Sequence, residues 1–154
     1  MPAQNEPSPD RLKALLSREI PLMELLGIRA VAASKGEVAF EMTVEERHLR
    51  THGIAHGGAT ASLMDTVLGV SALTVAAEDQ QVVTIQLNMN FVRPAWQGET
   101  LVARAVLRHA GRKTVVSTGE IRTVDGDLTA TGSATFVFIP TPPDDAAGFE
   151  KPAN

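Results

Sequence analysis

The sequence predicts an α+β fold in which one antiparallel sheet wraps around a central buried helix. Three observations carry that reading. Residues 36–44 (GEVAFEMTV) alternate strictly, with Val38, Phe40, Met42 and Val44 on one face and Glu37, Glu41 and Thr43 on the other, as in a half-buried strand. From Gly58 to about Ala77 the residues are small or aliphatic almost all round. There Leu63, Met64, Val67, Leu68, Val70, Leu73 and Val75 cover more than one stripe, the pattern of a buried helix. Four strand-like runs follow, 82–92, 100–108, 113–123 and 127–139, split by short breaks of which the last holds an Asp-Gly hairpin signal.

The other elements are justified in chain order. Ser8-Pro9-Asp10 reads as a helix start, with an N-cap serine, a proline at the first helical position and an early acid. Leu12, Leu15 and Leu16 then repeat at helical spacing. Pro21 opens a second short turn carrying Leu22, Leu25 and Leu26, and Gly27 is a natural C-terminal stop. Residues 45–58, polar and with three glycines, read as a loop. Residues 1–7 and 140–154 are rich in Pro, Ala and acids and poor in aliphatics, so a single domain is expected over 8–139 between two flexible tails.

A chain of 154 residues suits one domain, and its 44% hydrophobic content is enough for a real core. Lys and Arg total 14 against 18 acids, a net charge of −4, which argues against a general nucleic-acid binder but leaves room for a small anionic ligand. With no cysteine there is no disulfide framework, thiol nucleophile or thiolate zinc site. The longest apolar stretch carries Asp65 with several Ser, Thr and Gly, too polar for lipid, and the N-terminus has no apolar leader core. A cytoplasmic protein with no membrane partner is expected.

Asp65 is the only charged residue between Arg50 and Glu78, in the middle of the most apolar segment. A buried carboxylate is costly unless paired or hydrogen-bonded, and acids set in clefts tend to be working groups. The plainer reading is an aspartate serving a local hydroxyl such as Ser62 or Thr66. His56-Gly57-Gly58 stands just before the helix, where glycines let a ligand approach free backbone N–H groups at the positive end of the helix dipole. Such donors polarise a carbonyl; alone, the glycines fit a tight turn as well. Gly57 and Asp65 lie eight residues apart, about 12 Å along one helix, and cannot touch one reacting atom within a subunit. A shared site must therefore join Asp65 of one chain to Gly57 of another, so a dimer is part of the hypothesis.

His48, His52 and His56 recur every fourth residue, but the glycines make this stretch a loop and no further ligand cluster follows, so no metal is expected. Arg93, Arg112 and Lys113 by themselves read as solvated hairpin residues, or as phosphate contacts from a loop. Thr84, Gln86, Asn88 and Asn90 form a polar row opposite Val83, Ile85, Leu87, Met89 and Phe91. That row suits a polar site wall and an exposed sheet face equally.

Gly53-Ile54-Ala55-His56-Gly57-Gly58, Ser62-Leu63-Met64-Asp65-Thr66 and Asn88-Met89-Asn90-Phe91-Val92-Arg93-Pro94 followed by Gly98-Glu99 resemble the hotdog-fold acyl-CoA thioesterases of the PaaI-like (phenylacetate-degradation) group. The resemblance runs from about Pro21 to Phe138. It implies a curved antiparallel sheet around a long helix, paired into dimers that often pair again, with active sites at the dimer interface. By it, Asp65 is the nucleophile or the general base, Gly57 of the other subunit polarises the thioester carbonyl beside His56, and Thr84 supplies a hydroxyl to the carboxylate or water. Arg50, Gly58, Thr66 and Asn90 fall at substrate-facing positions. Arg93, Arg112 and Lys113, with Gly111 allowing close approach, meet the phosphates of coenzyme A. No cofactor is implied beyond coenzyme A as part of the substrate.

One departure matters. Many relatives carry Asn or Gln fifteen residues before the acid, and here that position is Arg50. An arginine cannot accept a hydrogen bond; it contacts a substrate carboxylate or pairs with Asp65. The alternatives are a non-catalytic acyl-CoA binder and a hydratase or dehydratase of 3-hydroxyacyl thioesters. The latter uses a His–acid dyad, which His56 and Asp65, about 13 Å apart on one helix, cannot form within a subunit.

Overall fold

The computed structural model describes residues 9–17 and 20–142. The serine cap expected at Ser8 and most of both expected tails lie outside them. Two short helices, α1 (Pro9–Leu16) and α2 (Pro21–Leu26), open the chain. Gly27 ends α2 as its sequence position implies: φ is +64°, and the Ile28 amide donates back to the Met23 carbonyl at 2.8 Å. Strands β1 (Arg29–Ser34) and β2 (Glu37–Thr43) precede α3 (Gly57–Leu73), and β3 (Gln80–Phe91), β4 (Thr100–Ala110), β5 (Thr114–Thr123) and β6 (Leu128–Pro140) follow it. All six strands form one antiparallel sheet in the order β1-β2-β4-β5-β6-β3. This is the hotdog arrangement: a curved sheet around a helix.

Helix α3 is the centre of the core. Leu63, Met64, Val67, Leu68 and Ala72 are wholly buried, against Phe40 and Met42 of β2, Leu101 and Ala103 of β4, and Phe136 of β6. The helix comes close to the sheet because β5 and β6 present paired glycines beneath it. A Cβ on Gly132 would lie 3.0 Å from Met64 Cγ, and one on Gly119 would lie 2.7 Å from the Arg104 carbonyl oxygen. Met64 is thereby seated on bare backbone, and its neighbour Asp65 is carried towards the outer strand β3.

Several sequence expectations are corrected. Strand β1 is a sixth strand where five were read. Its Arg-Ala-Val-Ala-Ala-Ser sequence lacks alternation because it is an edge strand with a bulge at Val31, and no residue in it is fully buried. Helix α3 starts at Gly57 and stops at Leu73, short of Ala77; Thr74 turns it, donating to the Ser71 carbonyl at 2.6 Å and accepting from the Gly36 amide at 2.8 Å. Strand β6 runs through Pro140, one residue past the strand end read from the sequence, and the Thr141 amide donates to the Asp79 carbonyl at 2.7 Å.

Candidate active site

Asp65 is half-buried in the middle of α3, and the Thr84 hydroxyl donates to its Oδ1 at 2.9 Å. Thr84 reaches the helix because of a bulge in β3. The register against β6 slips between Thr84 and Gln86, leaving Ile85 unpaired. Before the slip Thr84 faces the helix; after it Leu87 and Met89 do, packing against the core. The expected polar row is therefore broken: Gln86, Asn88 and Asn90 are exposed on the opposite face from Thr84, which places Asn90 away from Asp65 within the subunit. The local hydroxyls are otherwise disposed. Ser62 donates to the Gly58 carbonyl at 2.9 Å, and Thr66 is half-buried one residue beyond Asp65.

The N-terminus of α3 carries a selective cap. His56 is the N-cap residue, and its Nδ1 accepts the Gly58 N–H at 2.9 Å. Gly58 is thus occupied, while the Gly57 N–H has no acceptor among the described residues. A neutral His56 that accepts through Nδ1 carries its proton on Nε2, so no ring nitrogen is left to act as a base. The other two histidines do different work. His48 is buried, with its Nδ1 accepting the Glu45 N–H at 2.9 Å and its Nε2 unpartnered, and exposed His52 holds a left-handed turn (φ +65°) with Gly53.

Gly57 opens on a cavity of about 340 Å³ whose walls include Arg50, Ile54, Phe91, Ala95 and Thr129. Arg50 is exposed on the rim; its backbone amide donates to the Ile54 carbonyl at 2.9 Å, and its guanidinium makes no hydrogen bond or ion pair among the described residues. Arg93 also lines the cavity, but its guanidinium grips Glu99 through two nitrogens at 2.6 and 3.0 Å and the Pro94 carbonyl at 3.0 Å. Hydrogen bonding to Arg93 holds the Glu99 carboxyl below the usual range and raises Arg93 in return. Glu99 also accepts the Trp96 N–H at 2.8 Å, which staples the 93–99 loop into a wall. Arg93, expected as a phosphate contact, is engaged as a clamp.

Arg112 and Lys113 are exposed in the β4–β5 turn, where the Gly111 amide donates to the Thr114 carbonyl at 2.8 Å. Their place follows from register. Thr84 pairs with Phe136, which pairs with Val115, so this turn lies at the Asp65 end of the sheet. Phe91 pairs with Ala130 at the far end, where its ring approaches Gly57; a Cβ there would be 3.4 Å from it. Thr84 and Phe91 are six ladder steps apart once the bulge at Ile85 is counted, roughly 20 Å along one strand. Within a subunit the structure joins Asp65 to Thr84, and Gly57 to Arg50, and keeps the two groups apart. Thr129 escaped the sequence reading because a threonine in a strand carries no signal.

The model of the family described as the thioesterase superfamily matches residues 52–130, a span holding Gly57, Asp65 and Thr84. The chain belongs to that superfamily. It is 34% identical over 109 residues to human acyl-coenzyme A thioesterase 13, covering 70% of this chain and 77% of that protein. It is likewise 34% identical over 96 residues to acyl-coenzyme A thioesterase PaaI of Escherichia coli, covering 62% of this chain and 66% of that one. The solved structure of the E. coli PaaI protein superposes with a TM-score of 0.74 at 28% identity, over 79% of this chain and 86% of that one. PaaI-like membership, read first from the glycine and aspartate motifs, thus stands on sequence and fold together. Among the described residues, no helix is long and apolar enough to cross a membrane.

Proposed function

We propose that this protein is an acyl-CoA thioesterase whose active site is completed only in a homodimer. The observation that carries this is the separation just described: a hydroxyl-supported carboxylate at one end of β3 and a free helix N-terminal amide at the other. Strand β3 is a sheet edge, bonded to β6 alone, and it exposes Val83, Ile85 and Phe91. A long apolar edge of this kind favours pairing with another strand. Because Ile85 is a bulge residue, Thr84 and Phe91 are six ladder steps apart and the midpoint between them falls at Asn88. Antiparallel pairing of two β3 strands about that midpoint sets Phe91 of the partner subunit against Thr84, and with it Gly57 of the partner subunit beside Asp65. A pair of such dimers satisfies the same geometry.

In that site the thioester carbonyl oxygen accepts the partner's Gly57 N–H, backed by the helix dipole. Asp65 takes a proton from water as the water oxygen bonds to the carbonyl carbon. The tetrahedral intermediate then collapses by breaking the carbon–sulfur bond, giving the carboxylic acid and the coenzyme A thiolate, which takes up a proton. The alternative route has the Asp65 carboxylate attack the carbonyl carbon and expel the coenzyme A thiolate; water then hydrolyses the mixed anhydride to the carboxylic acid and the free Asp65 carboxylate. Thr84 orients the carboxylate in both. Arg112 and Lys113, at the Asp65 end, are the cations offered to the coenzyme A phosphates.

A non-catalytic acyl-CoA binder is the second reading, favoured by Arg50 in place of an amide. The hydratase reading is weakened by the His56 cap, which leaves that ring no free lone pair. Thiol release across phenylacetyl-, benzoyl-, short- and medium-chain acyl-CoAs tests the proposal. Wild type is expected to turn over, with Asp65→Asn down by roughly 10³-fold in kcat while still folded and dimeric. Turnover by neither protein, with tight binding of acyl-CoA, refutes hydrolysis in favour of the binder.

A further inference from the structure

The cavity beside Gly57 is lined mainly by apolar side chains, with Thr60 and the Glu99-bound Arg93, and by two further polar groups that have no partner among the described residues. Arg50 stands on its rim without an ion-pair partner, close in the chain to two acids, Glu45 and Glu46, neither of which engages it. Thr129 lines the same cavity and is 1% exposed, and its hydroxyl is among the two buried side-chain polar groups with no hydrogen-bond partner in the described residues. The ladder explains why it is there. Ile121 pairs with Ala130 and Arg122 with Leu128, so Thr129 is the unpaired residue of a bulge in β6, while its carbonyl accepts the amides of Val92 and Arg93 at 2.8 and 3.2 Å. A buried unsatisfied hydroxyl is destabilising, and bulges of this kind often sit beside ligand sites. Threonine is therefore a costly choice at this position unless something meets its hydroxyl.

We propose that this cavity receives an acyl group ending in a carboxylate, with the Arg50 guanidinium as its counter-ion and the Thr129 hydroxyl as an additional donor. The inference rests on the thioesterase reading and names its substrate class. The thioester carbonyl lies at the Gly57 N–H, and the acyl chain runs along Ile54 and Phe91 to the rim. The size agrees: about 340 Å³ is at the small end of ligand pockets and fits a short chain. The polarity agrees as well, since an uncharged chain of this length satisfies neither Arg50 nor Thr129. Arginine meets a carboxylate through a planar fork, which a lysine does not reproduce.

The test compares chains matched in carbon count: succinyl- with butyryl-CoA, glutaryl- with valeryl-CoA and adipyl- with hexanoyl-CoA. For at least one pair the ratio of kcat/KM is expected to favour the carboxylated member by about tenfold, the low end for a charge-assisted contact because Arg50 is solvated. Arg50→Gln brings that ratio towards one, and Arg50→Lys retains part of it. Thr129→Val lowers the ratio while raising the melting temperature, since it removes a buried unsatisfied hydroxyl; a purely structural threonine would move stability alone. Ratios of one or below for every pair in wild type overturn the proposal. So does an Arg50→Gln protein that loses the same factor on both members of each pair, which assigns Arg50 to the carboxylate of Asp65. Calorimetric binding of the same six compounds to Asp65→Asn reads the preference without turnover. A tenfold binding preference with an inactive wild type refutes hydrolysis and keeps this inference, whereas turnover with no preference does the reverse.

Discussion

Substituting Gly57 by proline separates the amide proton from everything else the glycine does. Gly57 is the first residue of α3, where the N–H has no helical partner and where proline is well tolerated. The preceding residue already has the extended backbone that proline demands, His56 at φ −63° and ψ 134°. The space is adequate: a Cβ at 57 would stand 3.4 Å from the Phe91 ring, an ordinary contact. The His56 cap is untouched because it uses the Gly58 amide. Gly57→Pro is therefore expected to fold and dimerise with a melting temperature at or slightly above wild type, as the unfolded chain loses freedom. What it removes is the N–H proposed above as the oxyanion donor, a kind of donor worth about 10²–10³ in kcat, or roughly 2.7–4 kcal/mol of transition-state stabilisation. Gly57→Ala keeps the amide and adds a methyl near Phe91, so it serves as the control and should lose no more than severalfold. The assay is steady-state thiol release with circular dichroism and light scattering on the same samples. Equal loss in the two variants would show that the glycine is needed for space and not for its N–H. Full activity in Gly57→Pro would refute the assignment of this amide outright.

Two further outcomes are expected. The chain has no cysteine, so a single Asn88→Cys variant reports the strand pairing without background: placed at the midpoint of the β3 pairing, it should cross-link two subunits on mild oxidation. Val83→Cys, roughly 26 Å from its own copy in that register, should not, and the reverse result would exclude the proposed pairing. The Arg93–Glu99 clamp gives an acid limb to stability. Glu99 is held below its ordinary value of 4.5, so its contribution is complete above that pH and is lost as pH falls through the depressed folded value. Chemical denaturation between pH 6 and pH 2 should show that limb, and Glu99→Gln should be less stable at pH 6 and flatter below 4.5; parallel curves for the two proteins would refute the linkage.

The fold was legible where burial imposes a period. Strand β2 has its core face written in alternate residues, and α3 has an apolar surface on every side, so both emerge from the sequence with their roles. Strand β1 did not, because an alanine-rich edge with a bulge has no buried face to select one. Asp65 was legible as the lone charge in an apolar segment, and helix length alone separated it from Gly57. Less accessible was anything decided by a slip in the ladder. The bulge at Ile85 turns Thr84 towards the helix and Asn90 away from it, and the bulge at Thr129 buries a hydroxyl; neither leaves a mark that composition or spacing reveals. Arg93 illustrates a different limit. A cation in a loop reads the same whether it meets a phosphate or a glutamate six residues on, and only the bidentate geometry distinguishes the two.

The rigid rod between Gly57 and Asp65 also has a consequence for inheritance. When the two halves of a site come from different chains, a subunit lacking Asp65 and a subunit lacking the Gly57 amide are each inactive alone, yet their mixed dimer rebuilds one intact site from the undamaged half of each. Random pairing of equal amounts makes half the dimers mixed, each with one working site of two, so about a quarter of the full activity returns. Two null alleles at one locus would thus rescue each other, and damage at this locus would be scored by which end of the helix it strikes.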